Sequence, residues 1–360
     1  MGTPRHAGAL SSQGLAFRLL FAFLALHFLW TTLGPRGGPT LDSVDFETRE
    51  EDGDNGQHNP FGLPTTSGDG KRALHPQELC AWETVLNSST YDAALKQMGW
   101  PTQYEHLVTE QRPINGITCP VCGGQHLSIE WSNSDLREGG KCSKCDSFNR
   151  IRQLAAVILP EASRIYGRPL QSLNDVAKTN LRIFSAQSCS GPLHDMLKKA
   201  PGYMCSEYIS ADTLRGSTSR GYRHEDLQQT TFASDTFHIV VSTEVFSLVP
   251  NPYQALHEMR RILKPGGALV FTVPFAAGDY HDEVRASVQN GKMVHHKPPL
   301  YPADPLHPDG MLMFTIFGRE LADKLCMLGF DTAVHHLHIG PLGIIGDNAW
   351  VFAAIKPNSS

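Results

Sequence analysis

Two unbroken apolar runs, FHIVVS at 237–242 and ALVFTV at 268–273, bracket a segment whose apolar residues recur at helical spacing. A strand that is apolar at nearly every position has no face to offer water, so it belongs in a sheet covered on both sides. The segment between them carries Ala255, Leu256, Met259, Ile262 and Leu263 on one face, against Glu258, Arg260 and Arg261. Asn251 caps it with Pro252 at its first position, and Lys264-Pro265-Gly266-Gly267 stops it. Strand, covering helix and strand together predict an α/β domain.

The same alternation runs from Leu181 onward. LRIFSA reads as a first strand, QSCSGP as its turn and LHDMLKK as the next helix. Tyr203 to Ser206 is a second strand ending at Glu207, and a weaker third strand near Gly221 to His224 ends at Glu225 and Asp226. Gly318 to Leu328 reads as a helix, with strands near 330–338 and 350–355. Ligands of open α/β sheets sit beyond the carboxyl ends of the strands. There Glu207 can accept both hydroxyls of a ribose, and Asp226 can accept from an adenine amino group. Taken singly, each reads as a solvated loop carboxylate; together, beside a small-residue turn, they point to a nucleotide.

Upstream, Cys119-Pro-Val-Cys122 and Cys142-Ser-Lys-Cys145 form two C-x2-C knuckles separated by nineteen residues. Two knuckles can converge on one tetrahedral ion, and four thiolates leave no open position, so such a site is structural. LSIEW between them alternates as a ribbon strand does, and Gly123-Gly124 permits the turn after the first knuckle. Zinc at Cys119, Cys122, Cys142 and Cys145 is the expectation; a pair of disulfides is the alternative if this part sits in an oxidising lumen. Cys80, Cys189, Cys205 and Cys326 are scattered and read as core thiols.

The first 41 residues hold no Asp or Glu and three Arg, and LLFAFLALHFLWTTL follows Arg18. A positive flank before about 15 apolar residues fits a signal anchor or signal peptide, with an organellar import signal as the runner-up. Residues 35–75 are acidic and rich in Gly and Pro, a disordered linker. The expected layout is an anchor or signal at 1–34, a linker at 35–75, a helical segment at 76–115, a zinc-ribbon-like module at 116–150, a connecting helix at 151–180 and the α/β domain at 181–356. An anchor with a cytosolic N-terminus would place the body in the lumen of the endoplasmic reticulum or Golgi, single-pass at the membrane. A net charge of −5, from 31 Lys+Arg and 36 Asp+Glu, argues against a general nucleic-acid binder.

At this point LKPGGALVFTVP, preceded by FASDTFHIVVSTEV and ALHEMRRI, resembles the class I S-adenosylmethionine-dependent methyltransferases. CSEY, FTVPF and YPADPLHPDGMLMFTIFG are similar to a subgroup of that superfamily often preceded by a cysteine-pair module. The resemblance spans about residues 119–355. It implies a Rossmann-like, seven-stranded, mostly parallel sheet with a reversed last strand, and S-adenosylmethionine as cofactor. By motif position, Ala186, Gln187, Ser188 and Gly191 would approach the methionine part, Glu207 the ribose, Tyr208 the adenine, and Asp226 with Leu227 its edge. Thr243 and Glu244 would face the methyl group and acceptor.

The chain departs from the family in its first turn, SAQSCSGP, which has one glycine where two or three are usual. The acid–histidine pair common after the fourth strand is replaced by Ser247 and Leu248, and Tyr301-Pro302 stands where relatives have Tyr-His. A hydroxyl acceptor benefits from a general base, for which histidine is common. Of 17 His, His296 and His307, with Asp304, lie in the insertion after the fifth strand where an acceptor lid could sit. A metal cluster of His295, His296 and His307 has no diagnostic spacing, and the HHLH at 335–338 reads as a surface strand.

Three functions follow. The first is a methyltransferase acting on a hydroxyl of a small molecule or glycan. The second is a non-catalytic relative that uses the fold for binding. The third is a protein or nucleic-acid methyltransferase docking through the ribbon, whose face would need to be basic. Arg112, Arg137, Lys141, Lys144, Arg150 and Arg152 are the candidates, diluted by Glu130, Asp135, Glu138 and Asp146.

Overall fold

The computed structural model describes residues 83–84, 110, 112–131, 137–337, 339–345 and 350–358. The expected anchor, the acidic linker, Cys80 and His338 lie outside the described residues. Among the described residues, no helix is long and apolar enough to cross a membrane.

In chain order, β1 is Glu83–Thr84, and a three-stranded sheet follows from β2 (Ile114–Ile117), β3 (Leu127–Glu130) and β4 (Lys141–Cys142). Helix α1 (Asn149–Tyr166) and the short α2 (Leu173–Val176) lead to β5 (Ile183–Ser185). Then come α3 (Gly191–Leu197), β6 (Tyr203–Cys205), the hairpin β7 (Thr218–Ser219) and β8 (Tyr222–Arg223), and β9 (Phe237–Thr243). Helix α4 (Pro252–Ile262) is capped by the Asn251 side chain, which accepts from Gln254 N at 3.2 Å, and runs into β10 (Leu263–Thr272). An insertion holds β11 (Glu283–Val284), β12 (Ala286–Gln289), β13 (Lys292–His295) and β14 (Thr315–Ile316). Helix α5 (Glu320–Met327), β15 (Asp331–His335) and β16 (Val351–Ile355) complete the chain.

The main sheet has seven strands in the order β6-β5-β9-β10-β16-β15-β1. Only β16 runs against its neighbours. The expected reversed last strand is there, but the seven strands are not the seven expected. Gly221, at φ +83°, turns the chain so that the predicted third strand folds on itself as β7–β8. One parallel bridge between His224 and Glu207 is all that remains of its pairing with the second strand. The seventh strand is instead β1, where helical periodicity predicted helix. Its backbone pairs in parallel with Ala333 and Val334, covering groups of β15 that would otherwise form an open edge.

Alternate side chains of the central strands feed two cores. Val240, Leu269, Phe271 and Phe352 pack with the buried faces of α4 and α5. Ile239, Val241, Ala268 and Val270 pack on the other side with α1, and the same cluster continues without a break into Ile114, Ile129, Trp131 and the module cysteines. The cysteine module and the sheet therefore share one core.

Glu258 is the polar exception on the buried face of α4. Its carboxylate accepts from Thr230 N at 2.8 Å, Thr230 Oγ1 at 2.7 Å, and Arg261 Nε and Nη2 at 2.7 and 2.6 Å. Burial alone would raise its pKa, but the Arg261 and Thr230 hydrogen bonds carry it below the ordinary value. The stabilisation is therefore complete at neutral pH and fades as the pH falls through that lowered folded-state value. Glu258→Gln removes the carboxylate but leaves Arg261 its bonds to Phe232 O and Ser234 Oγ. It is expected to cost about 1–2 kcal/mol in urea unfolding at pH 7, with the gap to wild type closing in acid.

Candidate functional site

The carboxyl ends of β5, β6 and β9 meet at the turn predicted to bind a nucleotide. Ala186 N donates to Val241 O at 2.8 Å, Ser242 Oγ donates to Ala186 O at 2.9 Å, and Thr243 Oγ1 donates to Gln187 Oε1 at 2.7 Å. These bonds lock the turn to β9. Gly191 has φ +82° and open space where a Cβ would stand, so it is required by backbone conformation rather than by close contact.

Glu207, 9% exposed, closes the other side of the turn. Its Oε1 accepts from Cys189 N at 2.5 Å and from Ser188 Oγ at 3.3 Å. Oε2 accepts no hydrogen bond among the described residues, so one carboxylate oxygen remains for a ligand. Burial holds this carboxyl above its ordinary range, and the Asp304 carboxylate adds to the shift. Cys189 and Cys205, expected as separate core thiols, are joined by a disulfide that ties the turn to the end of β6. The strand register carries the reason: Cys205 lies opposite Ser185, four residues before Cys189.

Tyr208 is 40% exposed beside this end, its ring 5.4 Å from His224. Burial raises its phenol pKa, with Asp226 and Asp212 contributing. Glu225 is buried and saturated by Arg223 and Thr231, so it serves the loop. Asp226 instead meets Gln228 N at 2.9 Å at the part-exposed rim, above buried Leu227.

Glu244 follows β9 with φ +62°, a strained conformation for a non-glycine residue. Its N–H bonds Thr272 O at 2.8 Å, Ser247 Oγ donates to its carbonyl at 2.9 Å, and its Oε1 accepts from Arg137 Nη2 at 2.5 Å. Arg137 comes from the cysteine module and was read only as surface charge. Arg150 and Arg152, by contrast, are buried. Two of the six basic residues proposed for a docking face are thus buried, and Arg137 is engaged by Glu244 while part-exposed.

The two histidines proposed as bases are not brought together. His296 is exposed beside hairpin β12–β13 and bonds Ser287 Oγ at 2.9 Å. His307 Nδ1 meets Asp304 Oδ1 at 2.7 Å and Nε2 meets Ile209 O at 3.3 Å, latching the insertion to the loop after Glu207. Neither hydrogen-bonds Thr243 or Glu244 among the described residues, because Asp304 and Ser287 already hold the two rings. The HHLH segment is no surface strand at His336, which is buried and stacked on Trp350 at 4.4 Å.

In the module, the Sγ atoms of Cys119, Cys122, Cys142 and Cys145 lie within 4.8 Å of one another, the one His/Cys/Asp/Glu cluster of metal-binding geometry among the described residues. Cys119 and Cys145 Sγ are 3.8 Å apart. A tetrahedral zinc with bonds of about 2.3 Å sets sulfur–sulfur edges of about 3.8 Å. Hydrogen bonds from Cys142 and Cys145 lower the pKa of the Cys119 thiol, whereas burial raises that of Cys122 and hydrogen bonds with Cys119 and Cys142 raise that of Cys145. The metal reading therefore rests on the sulfur geometry.

Residues 197–271 match the family profile of the methyltransferase domain. That stretch contains Glu207, Asp226, Thr243 and Glu244. Over those residues the chain is similar to the methyltransferase domain family. It is 28% identical over 174 residues to an arsenite methyltransferase of Aquipseudomonas alcaligenes, covering 43% of this chain and 50% of that protein. The chain thus spans half the length of this curated relative. Among solved structures, a methyltransferase from Mesorhizobium loti has 16% identity and a TM-score of 0.35, covering 58% of this chain and 98% of its own. An amino pentose methyltransferase from Micromonospora echinaspora has 16% identity and a TM-score of 0.32, covering 57% of this chain and 90% of its own.

Proposed function

We propose that this chain is a methyltransferase that takes its methyl group from S-adenosylmethionine and delivers it to a hydroxyl of a small molecule or glycan, with a structural zinc at Cys119, Cys122, Cys142 and Cys145. The observation that carries the reading is Glu207, held by the turn through one carboxylate oxygen while the other has no partner among the described residues. S-adenosylmethionine, when bound, supplies an electrophilic methyl on a sulfonium. Ala186, Gln187, Ser188 and Gly191 would hold its amino-acid end, Glu207 its ribose, and Tyr208, Asp226 and Leu227 its adenine. Thr243 and Glu244 face the acceptor side, where positioning supplies most of the catalysis. His307, oriented by Asp304, latches the insertion to the loop after Glu207 and remains the candidate base on the acceptor side. The apolar segment at 19–33 supports attachment to a membrane, with the body lumenal.

Arg137 reaches the acceptor side from the module, so the module takes part in the site. Arg137→Gln breaks a part-exposed ion pair and is expected to cost less than about 1 kcal/mol of stability. Cofactor affinity should stay within about threefold of wild type, while methyl transfer falls about a hundredfold through lost positioning. Transfer of labelled methyl into the small-molecule, glycan, protein and nucleic-acid fractions of a cell extract checks this. Label in protein or nucleic acid alone would overturn the hydroxyl reading. The glycine-poor turn, cross-linked at Cys189, favours a non-catalytic binding protein as the second reading, which predicts no labelled product at all.

A further inference from the structure

Arg152 is fully buried at 0% exposure, yet no carboxylate faces it among the described residues. Each hydrogen bond it makes ends on a backbone carbonyl. Nε and Nη2 donate to Gly343 O at 3.0 and 2.9 Å, and Nη1 donates to Gly140 O at 2.6 Å and to Ser147 O. Carbonyls satisfy the donors but leave the charge uncompensated, and an unpaired buried charge costs several kcal/mol. The anion must therefore come from something else in contact with this pocket. Gly140 and Ser147 flank Cys142 and Cys145, and Ser147 Oγ lies 3.4 Å from Cys119 Sγ. Two disulfides would carry no charge. Four thiolates around one divalent ion carry a net charge of about −2.

We propose that Arg152 is the charge partner of a tetrathiolate metal centre, and that it makes metal loading and seating of the module on the methyltransferase domain a single event. The inference rests on the zinc reading of the four cysteines. The second half follows from where the guanidinium fork points. Gly343 belongs to the connection between β15 and β16 of the main sheet, and a Cβ at Gly343 would stand 2.2 Å from Ile129 Cδ1 of the module. Around that contact, Thr118 N donates to Pro341 O at 2.7 Å, Asn149 Nδ2 donates to Ile345 O at 2.6 Å, and Ile345 N donates to Asn149 Oδ1 at 3.3 Å. One cation thus spans the cysteine loop and the sheet domain. Emptying the centre would remove the anion that makes its burial tolerable, and the seat would loosen with it.

The test uses the full chain, zinc and two variants. Zinc affinity is read by chelator competition, and seating by hydrogen exchange at the Thr118 and Ile345 amides. Arg152→Gln is expected to weaken zinc binding about tenfold or more. Arg152→Lys, which keeps the charge and guards against a variant that does not fold, should stay closer to wild type than the Gln variant. Chelation of wild type should raise exchange at both amides, and Arg152→Gln should show raised exchange with zinc present. Equal zinc affinity in wild type and Arg152→Gln, or unchanged exchange on chelation, overturns the proposal. A wild type that binds no zinc instead overturns the zinc reading beneath it.

Discussion

Removing metal with a chelator is expected to lower the melting temperature of the whole chain by on the order of 10 °C or more, and to open residues 114–145 to protease. The magnitude follows from the free energy with which four-thiolate zinc sites stabilise their folds, about 10 kcal/mol or more. It reaches the whole chain because the module has no core of its own: Ile114, Ile129, Trp131 and the cysteines share a cluster with Ile239, Val241 and Val270 of the sheet. Scanning calorimetry with and without chelator, and separately with reductant, checks this. Loss of stability with reductant but not with chelator, persisting in a Cys189→Ser/Cys205→Ser variant that lacks the turn disulfide, would assign the four cysteines to disulfides.

Glu207→Ala is expected to weaken S-adenosylmethionine binding at least a hundredfold, because two charge-assisted hydrogen bonds of about 1.5 kcal/mol or more each are lost. Glu207→Gln keeps an oxygen for Cys189 N but one acceptor fewer and no charge, so an intermediate loss is expected, with little change in stability. Burial holds the Glu207 carboxyl above the ordinary range. Cofactor affinity should therefore fall as the pH drops through that raised value, at a higher pH than an exposed glutamate would give. An acid limb at the ordinary glutamate value, or none, would remove Glu207 from the cofactor site.

What could be read before the structure was what burial forces on composition. A strand covered on both faces must be apolar at nearly every position, so 237–242 and 268–273 stood out, and a capped amphipathic segment between them completed the unit. The carboxylates at 207 and 226 were legible because they follow strands. Pairing across distance was harder. Nothing local at Glu83–Thr84 says that the open edge of β15 will recruit it, and the hairpin around Gly221 competes with a third strand by turn chemistry alone. Basic residues were the least legible. Arg137, Arg150 and Arg152 look alike in a list of charges, yet one reaches Glu244, one pairs with Glu138 and one is sealed beside the cysteines. The Cys189–Cys205 pair could have been found by aligning the ends of the first two strands.

Calorimetric titration of S-adenosylmethionine into the zinc-loaded full chain tests the central claim most directly. Micromolar binding with one site per chain, weakened by Glu207→Ala and by Asp226→Ala, is the result expected. A folded, zinc-loaded protein that takes up no S-adenosylmethionine would contradict the methyltransferase reading and leave a fold used for binding alone.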